Sequence, residues 1–220
     1  MEKNLEIEYK MLLSEALFNQ LMNDFKGHTY SQTNYYLTSI ELSALRYSLR
    51  IREKEGYYEM TLKIPEKNGR LEHNLEITKE DLEMIQKGEI PDNEITRLLS
   101  NKGFNLSLFK QAYSLTTIRR DVPFDSGMLS LDENHYNGIT DYELEFEVND
   151  EEKGLKQFEE LCQTYHLQYK ENCASKIARV LSTLKAGLEA CFIITMIVFH
   201  KCRCAELWTV VKLLTFCQLS

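Results

Sequence analysis

Acidic and basic side chains alternate with apolar ones near the start of this chain. In residues 4–10, NLEIEYK, the charged residues Glu6, Glu8 and Lys10 alternate with Ile7 and Tyr9. A period of two places the charged side chains on one face of a β-strand and the apolar ones on the other. Clustered carboxylates can hold a divalent cation, and a nearby amine can bind an anion. The pattern equally fits a strand with one face in water.

The same charged face recurs on six further predicted strands, and both signs of charge occur. The residues on these faces are Arg50 and Arg52; Lys63; Arg70, Glu72, Asn74 and Glu76; Arg119 and Asp121; Asp132; and Asp141, Glu143, Glu145 and Glu147. For a single strand, exposure to water is the simpler explanation. For the whole set we favour a closed barrel whose charged faces turn inward while helices cover the apolar faces.

Such a lumen would need counter-ions of both signs, because unpaired buried charges are costly. The basic side chains would bind a polyanion, and the clustered carboxylates would bind divalent cations. A triphosphate with Mg²⁺ or Mn²⁺ satisfies both requirements. No serine, cysteine or histidine stands out as a nucleophile, which fits direct attack by water on a phosphorus atom of the triphosphate.

The charged residues are positioned by about eight predicted strands. Helices are inserted in the middle of this series and at its end. The predicted strands cover residues 4–10, 30–38, 44–56, 57–69, 70–78, 110–122, 127–136 and 140–148. The predicted helices begin after Ser14, at Thr78 with Asp81, at Pro91, at Asp150 and at Ala174, by capping and periodicity. This order indicates an α+β fold built on an antiparallel β-barrel.

Composition narrows the class of protein. The 220 residues suit one domain with an appendage, and the net charge of −8 argues against a nucleic-acid partner. The amino terminus carries charge and resembles no export signal, so we expect a cytoplasmic protein with no membrane partner. The six cysteines form neither a disulfide framework nor a convincing zinc motif, which favours a reduced compartment.

The last part of the chain differs sharply from the rest. Residues 1–185 hold 23 Lys/Arg and 32 Asp/Glu, whereas residues 186–220 hold three and two. The uncharged run ACFIITMIVF is too short to span a bilayer, which takes about 20 apolar residues. It is either a packing or partner-binding segment or a frame-shifted extension. We therefore predict a domain over residues 1–184 and an atypical tail over 185–220.

The charged segment Glu6-Ile7-Glu8-Tyr9-Lys10 resembles the E-x-E-x-K signature of the CYTH superfamily. These are the triphosphate tunnel metalloenzymes, named for class IV adenylate cyclases and thiamine triphosphatases. The segments NYYLT, LRIR, TLK, LTTIR, LSLD, YELEFEV and SKIAR follow in the family's order. The resemblance covers residues 1–184 and is greatest to the short, single-domain bacterial members.

The resemblance implies an eight-stranded antiparallel tunnel and a role for each matching residue. Phosphate-binding residues would be Lys10, Arg50, Arg52, Lys63, Arg119 and Lys176. Ligands of Mg²⁺ or Mn²⁺ would be Glu6, Glu8, Asp132, Glu143 and Glu145, and the catalytic signature would be Glu6, Glu8 and Lys10. Further wall residues would be Glu72, Glu76 and Glu147. We expect Arg120 to face outward, Tyr35 and Tyr36 to pack, and Arg46 to extend the face of Arg50.

The function that follows is metal-dependent hydrolysis of a triphosphate. Inorganic triphosphate, thiamine triphosphate and nucleoside triphosphates all stay open as substrates. An adenylate cyclase of the same superfamily is the first alternative, although no segment identifies an adenine pocket. A non-catalytic triphosphate or polyphosphate binder is the second, and the number of clustered carboxylates argues against it.

Overall fold

The computed structural model describes residues 1–67 and 69–183, without the side chains of Asn4 and Leu5. Eight strands form a closed barrel in the order β1-β5-β4-β3-β2-β6-β7-β8, with every neighbouring pair antiparallel. The strands are β1 (Glu2–Leu13), β2 (His28–Thr38), β3 (Ser48–Lys54), β4 (Tyr57–Glu66), β5 (Gly69–Ile77), β6 (Lys110–Phe124), β7 (Gly127–Tyr136) and β8 (Ile139–Val148). The predicted α+β barrel is confirmed.

Helices connect the strands and follow the last one. They are α1 (Glu15–Asp24), α2 (Ile40–Ala44), α3 (Lys79–Gln86), α4 (Glu94–Asn101), a 3-10 turn (Leu106–Leu108), α5 (Glu151–Thr164) and α6 (residues 176–183). The chain divides into two compact units: Met1–Ala174, which contains the barrel, and a second that begins at Ser175. Of the second unit, residues 175–183 are described, so most of the predicted tail lies outside the described residues.

Capping residues start the helices where the sequence predicts them. The side chain of Ser14 accepts a hydrogen bond from the backbone of Leu17, and Thr78 with Asp81 forms a reciprocal capping box. Two boundaries differ: α4 begins at Glu94 under an Asn93 cap and not at Pro91, and α6 begins at residue 176 and not at Ala174. The side chain of Asn93 accepts hydrogen bonds from the first backbone N–H groups of α4, and this cap fixes where the helix starts.

Two glycines allow strands to approach each other closely beside the charged face. Gly69 opens β5 with φ +142°, and a Cβ there would lie 2.4 Å from the carbonyl oxygen of Glu6. Gly127 opens β7, and its Cβ would lie 2.0 Å from the carbonyl oxygen of Glu147. Any larger residue would push the strands apart at these points.

The segment before β3 corrects one prediction. Residues 44–47 were expected to belong to the strand, with Arg46 on the face of Arg50. Instead α2 occupies Ile40–Ala44, Arg46 is exposed with φ 56°, and β3 begins at Ser48. The left-handed residue ends the helical turn, so the alternation starts only after it.

The apolar faces of the strands pack in two cores outside the barrel. One core joins β3, β4 and β5 to α2, α3 and α4, and includes Ile51, Leu62 and Leu99. The other joins β7 and β8 to α1 and α5, and includes Leu144 and Phe158. Helices thus cover the apolar strand faces from outside, which leaves the alternate faces pointing inward. Among the described residues, no helix is long and apolar enough to cross a membrane.

Candidate active site in the barrel lumen

Charged side chains meet across the inside of the barrel. Lys63 on β4 donates to Glu6 on β1 at 2.6 and 2.8 Å, although β5 lies between these strands. Arg119 on β6 similarly reaches Glu145 on β8 past the intervening β7. Side chains of non-adjacent strands can pair in this way only through the lumen. The charged faces therefore line the interior of the barrel.

Three carboxylates form a compact acid triad on β7 and β8. The triad consists of Asp132, Glu143 and Glu145, whose ligand oxygens all lie within 4.8 Å of one another. Asp132 and Glu143 are fully buried. Arg119 donates to Asp132 at 2.7 and 2.6 Å and also contacts Glu145. Burial alone lowers the pKa of Arg119, but Asp132 and Glu145 outweigh it and raise that pKa well above its ordinary value.

A second charged group lies on β1, β4 and β5. Lys63 pairs with both Glu6 and Glu72. Burial, with Glu8 and Glu72 nearby, raises the pKa of Glu6 despite the ion pair. Burial also acts on Glu72, but Lys63 and Arg50 outweigh it and hold the pKa of Glu72 below its ordinary range. The two carboxyls share one lysine, and the proton belongs on Glu6 because it faces Glu8 whereas Glu72 faces Arg50.

We expect Glu6→Gln to stabilise the metal-free protein at neutral and higher pH. A carboxyl with a raised pKa contributes stability at low pH and loses it as pH rises through that pKa. Glutamine removes this loss, while Lys63 keeps its partner Glu72. In EDTA, the melting temperature of Glu6→Gln should exceed wild type by about 2 °C or more at about pH 8, and by less at about pH 5. The same variant should lose turnover with metal present.

The control for this comparison is Glu2→Gln, at an exposed position on the same strand. It should melt like wild type at both pH values. An equal change in melting temperature in Glu6→Gln and Glu2→Gln would contradict the assignment of the raised pKa to Glu6.

Glu8 and Lys10 pair with each other on the lumen face of β1. Burial lowers the pKa of Lys10, but Glu8 and Glu145 outweigh it and raise that pKa. This half of β1 pairs with β8 on one side, while its pairing with β5 stops at Glu6. The backbone at Glu8 and Lys10 therefore needs partners from outside the barrel sheet.

Asn172 and Cys173, which follow α5, supply those partners. Asn172 Oδ1 accepts from the backbone N–H of Lys10 at 2.7 Å, and its Nδ2 donates to the carbonyl of Glu8 at 2.9 Å. The backbone N–H of Cys173 donates to the carbonyl of Lys10 at 3.1 Å. The Cys173 thiol lies 3.4 Å from Glu143 Oε1. The segment of Asn172 and Cys173 therefore holds the backbone of β1 at Glu8 and Lys10, where β5 no longer pairs with it.

We expect Asn172→Ala to lower kcat by about 10-fold, because the strand that carries Glu8 and Lys10 loses its anchor. Hydrogen exchange at the Lys10 amide should accelerate in the same variant. Asn172→Asp keeps the acceptor for that amide and should restore its protection. Gln168→Ala, an exposed change in the same segment, is the control. Unchanged Lys10 exchange in Asn172→Ala would contradict the anchoring role.

Arg50 and Arg52 differ from the other lumen cations. Within the described part of the chain, neither has a carboxylate oxygen within 4.0 Å, and Arg50 Nε has no hydrogen-bond partner. The Nε of Arg52 donates only to the Asn34 amide, at 3.4 Å. Burial, and then the like charges of Arg50 and Arg119, lower the pKa of Arg52 to about 10. Glu72 and Glu6 attract Arg50 from beyond 4.0 Å, so among the described residues both arginines lie outside any ion pair.

The remaining predicted residues fall in several places. Glu76 and Glu147 are exposed near the ends of β5 and β8. Although Glu147 is exposed by surface area, the surrounding barrel wall partly desolvates its carboxyl, which raises the pKa of Glu147, and the charge of Glu72 raises that pKa further. Lys176 begins α6 in the second unit, so its predicted role in phosphate binding stays a prediction. The ligand and substrate assignments of the lumen residues also stay predictions.

Arg120 lies outside the barrel, as predicted. Its side chain donates to Thr29 Oγ1 at 2.8 Å and to the carbonyl of Phe25 at 3.2 Å, which satisfies the end of α1. Tyr35 also faces outward and donates to Glu53. Tyr36 is buried, as predicted, and as the register partner of Arg50 it lies on the lumen face.

Sequence reasoning assigned no role to the neutral polar residues of the lumen. Thr117 donates to Asn134 at 2.7 Å, and Asn134 donates to Glu143 at 3.4 Å. These residues support the acid triad from the neighbouring wall. By the period of two, Thr117 shares a face with Arg119, and Asn134 shares a face with Asp132, but uncharged side chains on a strand are also common at protein surfaces.

Comparison with known proteins agrees with this geometry. The sequence profile of the CYTH domain matches residues 4–181. YjbK of Bacillus subtilis (strain 168), a candidate triphosphatase by name, is 29% identical over 184 residues, which cover 81% of this chain and 95% of YjbK.

Solved structures share the fold. A candidate adenylate cyclase from Bacillus halodurans is 32% identical with a TM-score of 0.76, over 81% of this chain and 98% of that protein. HpAC1 from Hippeastrum is 21% identical with a TM-score of 0.63, over 81% of this chain and 96% of that one, and it supports the fold alone. By its profile match and its barrel, the chain belongs to the CYTH domain family.

Proposed function

We propose that this protein is a divalent-metal-dependent triphosphatase that binds its substrate inside the barrel. One observation carries the proposal: among the described residues, a pair of arginines has no carboxylate oxygen within 4.0 Å, and a surplus of carboxylates lines the same lumen. Arg50 and Arg52 are suited to bind a polyanion, and the acid triad is suited to bind a cation. A triphosphate bound with a divalent metal neutralises both.

The acid triad fits a hard divalent cation. Three carboxylates surround one arginine, so the group keeps net negative charge even with Arg119 paired. Carboxylate oxygens are the ligands that Mg²⁺ and Mn²⁺ prefer. We infer that Asp132, Glu143 and Glu145 hold one such ion and that Glu6 and Glu8 contribute to metal binding, as the resemblance implies. The bound cation would polarise a phosphoryl oxygen and acidify a water molecule.

The basic side chains of the lumen bind and orient the phosphate chain. Arg50 and Arg52 would donate to non-bridging oxygens from β3, while Lys10 and Lys63 lie on the other strands of the wall. Phosphoryl transfer depends mainly on positioning and on charge neutralisation, and both act more strongly in a site that excludes bulk water. No protein nucleophile is required for this reaction.

Two relatives suggest different activities for the shared site. The name of YjbK assigns it as a triphosphatase, whereas the Bacillus halodurans protein is described as a candidate cyclase. A cyclase would use a ribose hydroxyl in place of water and would release pyrophosphate. A purely binding protein would have no use for a carboxylate triad beside its arginines. We therefore favour hydrolysis.

A product panel tests the proposal. The purified protein is incubated with inorganic triphosphate, thiamine triphosphate, ATP or polyphosphate, each with Mg²⁺, Mn²⁺ or EDTA. We expect orthophosphate release from at least one triphosphate with metal and none in EDTA. Cyclic AMP formation from ATP would favour the cyclase, and binding of triphosphate without any product would favour the binding protein.

We also propose that residues 1–184 form the functional domain and that residues 185–220 are dispensable for hydrolysis. The support is the change in composition after residue 185 and the position of the family's motifs before it. A chain that ends at Lys185 should keep metal-dependent hydrolysis within about twofold of wild type, since no motif residue is removed. Comparing rates and thermal melts of both chains tests this. An inactive chain, or a melting temperature lower by several degrees, would show that the tail contributes packing worth more than about 1 kcal/mol.

A further inference from the structure

We propose that Gln32 on β2 is a further substrate-binding residue, which hydrogen-bonds a phosphate oxygen of the bound triphosphate. This inference rests on the proposed function and adds a neutral contact to the charged ones. Gln32 is 2% exposed, and within the described part of the chain its Oε1 has no hydrogen-bond partner. A buried amide oxygen without a hydrogen-bond donor is costly, so we expect a bound ligand to complete the hydrogen bonds of this side chain.

The Gln32 side chain belongs to the lumen face of β2. Tyr30 and Asn34 lie two residues to either side and share its face. The hydroxyl of Tyr30 donates to Asp121 Oδ2 at 2.7 Å, and Asn34 Oδ1 accepts from Arg52 Nε at 3.4 Å. Both neighbours therefore reach partners inside the barrel, which places Gln32 between them on the lumen wall.

The residue beside Gln32 on the next strand cannot satisfy it. Thr117 on β6 is its register partner and is fully buried. The hydroxyl of Thr117 donates its only proton to Asn134 Oδ1 at 2.7 Å. Asn34 Oδ1 accepts from Arg52, and the Tyr30 hydroxyl donates to Asp121. Among the described residues, none of these neighbours donates to Gln32 Oε1.

The charge around Gln32 indicates which ligand it meets. Its neighbours Tyr30 and Asn34 are the register partners of Arg119 and Arg52, so the amide lies between two cationic strand positions. A phosphate oxygen held by these cations accepts a hydrogen bond from an amide N–H. The amide can present either end by rotating, since only its hydrogen bonds fix which atom is which. Its free carbonyl can then accept from an arginine.

Binding of inorganic triphosphate in EDTA, measured by calorimetry, tests the inference without turnover. Gln32→Met has similar length and removes only the amide, so we expect the dissociation constant to rise roughly 10- to 150-fold, as for one hydrogen bond to a charged group. Gln32→Glu should bind more weakly still, because it adds a negative charge beside the phosphate. Ser31→Ala, an exposed change on the adjacent residue, should bind like wild type.

Thermal melts separate this role from a structural one. Removing an unpartnered buried amide should leave the melting temperature of Gln32→Met unchanged or raised. A lower melting temperature with unchanged affinity would overturn the inference, because the amide would then be satisfied by buried water. If Gln32→Met fails to fold, Gln32→Asn replaces it, and unchanged affinity of Gln32→Asn for inorganic triphosphate would overturn the inference. Failure of the wild-type protein to bind inorganic triphosphate in EDTA would also overturn the inference, whereas a lack of orthophosphate release from every triphosphate tested with metal would overturn the proposed function.

Discussion

Replacing Glu143 by glutamine is expected to lower metal-dependent phosphate release by at least about 100-fold, since changes to residues that merely support metal ligands already cost 10- to 100-fold. Glu143 is fully buried in the acid triad with Asp132 and Glu145. Glutamine keeps the size of the side chain and one acceptor oxygen, so the hydrogen bond that Asn134 donates can persist, while an NH2 group replaces the oxygen beside the Cys173 thiol. The main loss is the negative charge that attracts a cation.

A binding measurement separates this effect from a general loss of activity. Titration of Mn²⁺ followed by electron paramagnetic resonance should show weaker binding to Glu143→Gln than to wild type. The matched control is Glu133→Gln, on the outer face of β7, where Glu133 lies 3.1 Å from His135. That control should bind Mn²⁺ like wild type. Equal Mn²⁺ affinity in wild type and Glu143→Gln would show that the acid triad is not the metal site.

Replacing Arg52 by methionine should weaken substrate binding and stabilise the ligand-free fold at the same time. The arginine lacks a carboxylate partner within the described residues and lies near Arg50 and Arg119, which repel it. Its pKa of about 10 keeps it protonated at neutral pH in both the folded and unfolded states, so its unfavourable charge does not vary with pH there. Such strain is expected where a binding site is prepared for an anion.

We expect the dissociation constant for inorganic triphosphate to rise roughly 10- to 150-fold in Arg52→Met, as for the loss of a charge-assisted hydrogen bond. The melting temperature in EDTA should rise by about 2 °C or more. Arg97→Met is the control, because Arg97 pairs with Asp92 at the surface. Its affinity and its melting temperature should match those of wild type, because an exposed ion pair contributes little to stability. A destabilised Arg52→Met with normal affinity would mean that Arg52 serves the fold and not the ligand.

The residues that line the lumen could be predicted because alternation is a local property of a strand. Lys63, Arg119 and Glu143 each lie where the period of two places them. The pairs that they form could not be predicted. Lys63 reaches Glu6, and Arg119 reaches Glu145, only because of the strand order around the closed barrel. That order depends on contacts between residues far apart in the chain.

Two other features could not be predicted from the local sequence pattern, for different reasons. The prediction for Arg46 was wrong because a single left-handed residue interrupts the apparent alternation before β3. Asn172 had no signal in the sequence, since its role arises from the offset between β1 and β5, which leaves Lys10 without a partner in the sheet. The orphaned amide of Gln32 likewise becomes visible only when its neighbours' partners are known.

The most direct test of the central claim is the fate of solvent oxygen during turnover. The protein is incubated with ATP and Mg²⁺ or Mn²⁺ in ¹⁸O-labelled water, and the products are analysed by phosphorus NMR and mass spectrometry. Water attack on the terminal phosphorus forms a new P–O bond as the anhydride bond breaks, so the released orthophosphate should carry ¹⁸O and ADP should be the other product. Unlabelled pyrophosphate together with cyclic AMP would contradict hydrolysis and would assign the lumen to cyclisation.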